Sequence, residues 1–291
     1  MRRFTPAGSV LTSLVACLFA ILTTQPAHAG EYVSDKYIDL LFGTRSYEVW
    51  VPTGYVAGQR IPLVVALHGC THTPRQFAGL TRFNQLADRE NFLIVYPMQN
   101  LLANLTGCWN FAYTSNQTRG SGEPALLMQI VDKVKARFSV DDSRIYVGGV
   151  SAGAVMTSIL MACYSEVFAA AMVASGGMYK AVTNQLDVGT ARMNGSSYSP
   201  DQRGIEAWQC SGSAVPRPTP VIVFHGGQDS VVAPVNGEQV IAQFAQTNDL
   251  ADDGVDNDSV RNVPTSTAGF ISPGGLAYTV RDYVYNGKQL L

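Results

Sequence analysis

Histidine is scarce in this 291-residue chain: there are four, His28, His68, His72 and His225, and none follows His225. Charged residues are few as well, at 14% of the chain with a formal balance of -2. Such a composition gives nucleic acid or an anionic membrane surface little to bind, and neither is expected as a partner. The cysteines lack the C-x-x-C spacing and companion histidines of a zinc site, so no metal is expected. Nothing points to an organic cofactor. The apolar stretch from Val10 to Leu22 falls short of the ~20 residues that a membrane span needs. Internal repeats and a Thr- or Pro-rich linker are also missing, which argues against a second module.

What is present is 46% apolar residues, ample for one sizeable core. Arg2 and Arg3, the apolar stretch and Ala27-His28-Ala29 before Gly30 read as a secretory signal. The expected organisation is a signal peptide at 1–29 and one α/β domain at 30–291, exported to the extracellular space or periplasm as a monomer. Leu14-Val15-Ala16-Cys17 also fits a lipoprotein box, although apolar residues continue past Cys17 and favour a clean signal. Losing residues 1–29 removes two arginines and no acid. Four cysteines then remain, Cys70, Cys108, Cys163 and Cys210. An even count in an oxidising compartment predicts two disulfides, with three possible connectivities.

Strand and helix patterns alternate along the chain. Tyr47, Val49 and Val51 mark an early strand, and Ile61 to Leu67 a continuous apolar one of the kind buried on both faces. Phe77, Leu80, Phe83 and Leu86 recur as one face of a helix would. A strand from Phe92 to Tyr96 closes at Pro97. A helix from about Pro124 places Leu127, Ile130, Val131, Val134 and Phe138 on one face. Strand 144–148 precedes another helix, Ala169 to Ala174 and Val221 to Phe224 read as buried strands, and Val240, Ile241 and Phe244 mark a last helix. This alternation implies a mostly parallel sheet with helices on both faces. Residues 180–219, polar and proline-bearing, are expected to form a loop excursion over one end of that sheet. Ala277 to Tyr285 reads as a strand, and Asn286-Gly287 as a two-residue hairpin turn. Only four residues follow, as though the fold were cut within an element.

Chemistry concentrates at Gly149-Val150-Ser151-Ala152-Gly153, a G-x-S-x-G elbow between a strand and a helix. Flanking glycines permit a tight turn that lifts the Ser151 hydroxyl above the sheet, making it the candidate nucleophile. His68-Gly69-Cys70 follows strand 61–67, where an oxyanion loop belongs. The backbone N–H groups of Cys70 and Ala152 are the candidate oxyanion donors. Asp229 follows strand 221–224 and is the candidate acid, in the order Ser then Asp. His68, His72 and His225 are expected to play local structural roles, so the general base is missing. Asp249 to Asp258 invites a calcium reading, but aligning Gly254 with an EF-hand glycine puts Ala251 and Val260 at ligand positions. A solvated acidic loop is expected there, with a looser calcium site as the alternative. Trp109 and Trp208 lie beside or near cysteines and either line an apolar subsite or pack in the core.

Four motifs in order, Pro62 to Thr71 (PLVVALHGCT), Cys108-Trp109-Asn110, Gly149 to Gly153 and His225-Gly-Gly-Gln-Asp229, resemble the secreted polyhydroxybutyrate depolymerase family of esterases. That family also takes in feruloyl and acetyl-xylan esterases. The resemblance implies an α/β-hydrolase fold, Ser151 as nucleophile and Asp229 as the acid. It also implies disulfides Cys70–Cys108 and Cys163–Cys210. The family's histidine lies in a Gly-His segment after one more strand, just past Leu291 in this register. The expected substrate is a hydroxyalkanoate polyester or oligomer, with a feruloyl or acetyl ester on plant polysaccharide as the runner-up. A catalytically impaired remnant or binding protein is the third possibility.

Overall fold

In a computed structural model, residues 30–39, 43–212 and 217–291 are described. The expected signal peptide, with Cys17 and His28, lies outside them. Two antiparallel strands open the domain, β1 (Glu31–Asp39) and β2 (Gly43–Val51). Next come β3 (Ile61–Leu67), α1 (Pro74–Thr81), α2 (Phe83–Glu90), β4 (Leu93–Pro97), α3 (Gly122–Arg137), β5 (Val140–Val150), α4 (Ala152–Cys163) and β6 (Ala170–Ala174). Helices α5 (Val188–Asn194) and α6 (Pro200–Ser211) precede β7 (Val221–Phe224) and α7 (Val235–Asp253). Two hairpins follow, β8 (Ser266–Ile271) with β9 (Ala277–Asp282), and β10 (Val284–Tyr285) with β11 (Lys288–Gln289). Strands β1 to β7 form one sheet in the order β1-β2-β4-β3-β5-β6-β7, antiparallel as far as β4 and parallel from there on.

Side-chain alternation along the central strands sorts the core into two layers. Leu63, Val65, Leu67 and Val95 pack with Leu127, Ile130, Val134 and Ile159 of α3 and α4. Val64, Ala66, Ile94 and Tyr96 pack on the opposite face with Phe77, Ala78 and Ala87 of α1 and α2. This is the expected α/β-hydrolase layout.

Four expectations are corrected. The repeat at Phe77, Leu80, Phe83 and Leu86 spans two helices, because Arg82 takes a left-handed conformation (φ 55°) and breaks the run, leaving Leu80 exposed. Residues 180–219 carry α5 and α6 instead of an irregular excursion. Ser199 caps α6 by accepting from Gln202 N–H, Pro200 stands at its first position, and α6 packs on α4 and α7. Among the described residues β7 is an edge strand with one sheet neighbour, β6, and Ile222 and Phe224 are each 53% exposed. Finally, the short arm after the Asn286-Gly287 turn is not idle. Both turn residues have positive φ (48° and 74°), and the arm buries Leu290 and Leu291, with Val221 N–H donating to the Leu290 carbonyl at 2.8 Å.

Disulfides join Cys70 to Cys108 and Cys163 to Cys210, as the family resemblance implies. The second ties the end of α4 to α6. Arg119 reinforces it by donating to the carbonyls of Cys163 and Ser211. Replacing Cys163 and Cys210 together by serine frees a closure of 47 residues. The expected loss is about 2–4 kcal/mol of unfolding free energy, read from urea unfolding curves.

Candidate active site

Space, more than hydrogen bonding, shapes the turn after β5. A Cβ on Gly153 would lie 2.2 Å from the Leu67 carbonyl oxygen and 2.6 Å from that of His68. A Cβ on Gly149 would lie 2.5 Å from the Gly153 backbone. The first turn of α4 is thus pressed onto the end of β3. Between these glycines Ser151 adopts φ 55° and ψ -122°, a region that L-residues rarely occupy. Its N–H donates to the Ala174 carbonyl at 3.0 Å, and its own carbonyl accepts from Ala154 and Val155 at 2.9 and 3.0 Å. Ala152 opens the helix, where N–H groups have no intrahelical partner and the helix dipole favours negative charge.

The loop after β3 lies against the same serine. A Cβ on Gly69 would sit 3.5 Å from Ser151 Cβ. Cys70 is fixed through its disulfide to the 100–110 loop, and Thr71 N–H donates to the Thr106 carbonyl at 2.9 Å. Trp109 is fully buried, its ring 5.4 Å from the His68 ring, and its Nε1–H donates to the His68 carbonyl at 3.0 Å. It therefore braces the loop from within and does not line an open subsite.

Two of the described histidines, His68 and His225, bond to backbone groups. His68 Nδ1 lies 2.7 Å from the Gly69 carbonyl, and its Nε2 accepts from Gln99 N–H at 3.1 Å. A carbonyl only accepts and an amide N–H only donates, so the ring is the neutral Nδ1–H tautomer. Burial holds its pKa below the ordinary imidazole value. His225 Nε2 is engaged by the Val232 carbonyl at 2.8 Å, and its buried Nδ1 meets no partner among the described residues. His72 Nδ1 is likewise buried without a partner among them.

Asp229 is held by the backbone at one of its carboxylate oxygens. Oδ1 accepts from the Val231 and Val232 N–H groups, both at 2.9 Å, while Oδ2 stands 3.8 Å from His225 Nε2, too far for a hydrogen bond. The Val232 N–H, followed by Val231 N–H and the Ser175 hydroxyl, holds its pKa below the usual carboxylate value. Sequence reasoning missed Ser175. It has φ 45°, it donates its N–H to the Phe224 carbonyl at 2.8 Å, and it follows Ala174, which receives the Ser151 N–H. The run of small residues after β6 was the available signal.

Residues 45–261 match the family described as Esterase PHB depolymerase. The chain belongs to this family. It is 38% identical to a poly(3-hydroxyalkanoate) depolymerase C of Paucimonas lemoignei over 69% of this chain and 50% of that protein. It is 31% identical to a probable acetylxylan esterase A of Neosartorya fischeri over 70% of this chain and 55% of that protein. The chain thus spans about half the length of these curated relatives. An acetyl xylan esterase structure from Aspergillus awamori superposes with a TM-score of 0.69 at 22% identity, covering 85% of this chain and 91% of that one, and bears out the fold.

Two further residues or segments of this member of the Esterase PHB depolymerase family stand away from the site. Trp208 packs among Met161, Ala162, Phe244 and Asn248 at the far end of α4, so it is not brought to Ser151. The acidic segment is no solvated loop at its start. Asp249 is buried in α7 and accepts from the Asn257 and Val260 N–H groups and the Ser259 hydroxyl. A carboxylate filled by such donors anchors a turn and is not free for a cation. No cluster of three metal-capable side chains occurs among the described residues.

Gly153→Ala should cost stability at or above the ~1–3 kcal/mol typical of overpacking, measured by thermal denaturation, because backbone oxygens cannot move aside. His68 generates a pH signature. Its folded pKa is depressed, so the unfolded chain takes up the proton first below about 6.5, and stability falls as pH drops through that range. Unfolding free energies at pH 7.5 and 5.5 should show a smaller acid loss in His68→Asn than in wild type. Equal losses would mean a ring that titrates alike in the folded and unfolded chain.

Proposed function

We propose that this chain carries the nucleophile, the acid and the oxyanion donors of a secreted serine esterase acting on short-chain hydroxyalkanoate polyesters or their oligomers. The observation that carries the reading is the elbow at Ser151, held at positive φ between two glycines that nothing larger can replace. Ser151 Oγ attacks the ester carbonyl, and the resulting oxyanion meets the N–H groups of Cys70 and Ala152 at the start of α4. The alcohol leaves, and water releases the acyl group from Ser151. Asp229, kept ionised by backbone N–H groups, orients an imidazole and stabilises its cationic form. His68 has both ring nitrogens committed, to the Gly69 carbonyl and the Gln99 N–H, and His225 has its Nε2 bound to the Val232 carbonyl. Two disulfides and the sequence of 1–29 support export.

The polyester reading draws on 38% identity to a polyhydroxyalkanoate depolymerase; the fungal relatives favour an acetyl or feruloyl ester of plant polysaccharide as the second reading. Hydroxybutyrate oligomers and acetylated xylan, offered side by side, separate the two by kcat/KM. A fluorophosphonate is expected to label wild type and not Ser151→Ala. A variant extended past Leu291 by a strand and a Gly-His segment should hydrolyse p-nitrophenyl butyrate about 10³-fold or more faster than residues 30–291 alone. Equal rates would show that the base already lies within these residues.

A further inference from the structure

His68 is buried, neutral and without a part in the chemistry above, yet its ring touches the peptide that carries one proposed oxyanion donor. We propose that His68 is a positioning residue that aims the Cys70 N–H by holding the Gly69 carbonyl, with Gln99 and Glu123 locking the ring in place. This rests on the reading that Cys70 N–H receives the oxyanion.

The argument starts from peptide geometry. In a trans peptide the carbonyl and the following N–H point in opposite directions, and no cis bond occurs among the described residues. Fixing the Gly69 oxygen on His68 Nδ1–H at 2.7 Å therefore fixes the Cys70 N–H to point away from the ring. Such a latch is needed because Gly69 has no side chain to resist rotation of that peptide plane, and glycine allows the widest choice of backbone angles. The same lack of a side chain lets the loop approach Ser151.

The ring is itself held. Gln99 N–H donates to Nε2 at 3.1 Å, which demands an unprotonated Nε2 and so places the proton on Nδ1. A flipped imidazole would present carbon to both partners. Gln99 is anchored in turn, its Nε2 donating to the Cys108 carbonyl at 2.9 Å and to Glu123 Oε1 at 2.5 Å. Glu123, 5% exposed at the start of α3, also accepts from Arg45 at 3.0 Å and from the side chain and backbone N–H of Asn110, both at 2.8 Å. Asn110 lies two residues from Cys108, the disulfide partner of Cys70. One carboxylate thus steadies both sides of the loop, through Gln99 and His68 on one side and through Asn110 and Cys108 on the other.

The test uses the full-length protein and a soluble p-nitrophenyl ester. His68→Leu keeps apolar bulk and removes the donor; kcat is expected to fall about 10- to 100-fold, less than the 10²–10³ of losing an oxyanion donor outright, with KM within about threefold. His68→Asn, whose Nδ2 can stand near the place of Nδ1, should recover at least about tenfold of a hundredfold loss. A kcat in His68→Leu within about threefold of wild type, or equal impairment of the two variants, overturns the proposal. Should His68→Leu fail to fold, ¹⁵N ring shifts of the unmutated protein decide: an Nδ1–H tautomer at pH 7 is expected, and an Nε2–H or doubly protonated ring overturns it. Ser151→Ala separates the two levels. Full turnover in that variant sinks the esterase reading and this proposal together, whereas lost turnover there beside unchanged kcat in His68→Leu sinks this proposal alone.

Discussion

The contact between the Gly153 backbone and the carbonyls of Leu67 and His68 sets every other distance at the site. It brings the N-terminus of α4 against the end of β3, and the sheet register that pairs Leu67 with Gly149 holds the two elements in phase. Once they are that close, the one residue between β5 and α4, Ser151, takes the positive φ. A strained residue of this kind costs about 1–3 kcal/mol and persists only where its surroundings over-determine it. Here they do so through β3, β5 and β6, whose central side chains are almost wholly buried. The proposed oxyanion donors then follow from the fold, since Ala152 begins α4 and Cys70 lies just beyond β3.

Electrostatically the site is built from dipoles and neutral groups. Ala152 and Cys70 offer backbone N–H groups, and His68 is uncharged. The buried carboxylate of Glu123, linked to His68 through Gln99, faces Arg45 and three further N–H donors. A buried carboxylate without partners would disfavour a developing oxyanion and would shift toward its neutral form. Surrounded by donors, it serves instead as a fixed point for the loops that frame the serine. Asp229 differs, because only one of its oxygens is saturated by backbone N–H groups. The Ser175 hydroxyl adds a side-chain donor to the same carboxylate.

Much of this was legible in the sequence. The strands of the central sheet follow from apolar runs, and glycines and strand ends mark the turn between β5 and α4 and the segments after β3 and β7 that hold Cys70 and Asp229. Legibility failed where local chemistry outweighed periodicity. Ser199-Pro200 starts a helix in a segment whose polarity suggested loop, and Arg82 breaks a regular three-residue repeat by its backbone angle alone. Asp249 looked like one member of a solvated run, but its burial depends on donors eight to eleven residues away. The role of His68 was half visible: local hydrogen bonding was expected, but its partner Gln99 lies 31 residues on and no spacing rule announces it.

The edge at β7 shows why an apolar run alone does not fix burial. Val221, Ile222, Val223 and Phe224 read as a strand covered on both faces, and alternation sends Ile222 and Phe224 to the same side. That side is open, each residue being half exposed, while Val221 opposite them is buried. A layer laid over this face would remove two large apolar side chains from water, worth on the order of 1.5–3 kcal/mol for each one fully buried. The chain already leans that way, for Leu290 accepts from Val221 and is buried beside it. Burial at this edge is therefore set by which neighbour the strand finds on each face, and not by the apolar run itself.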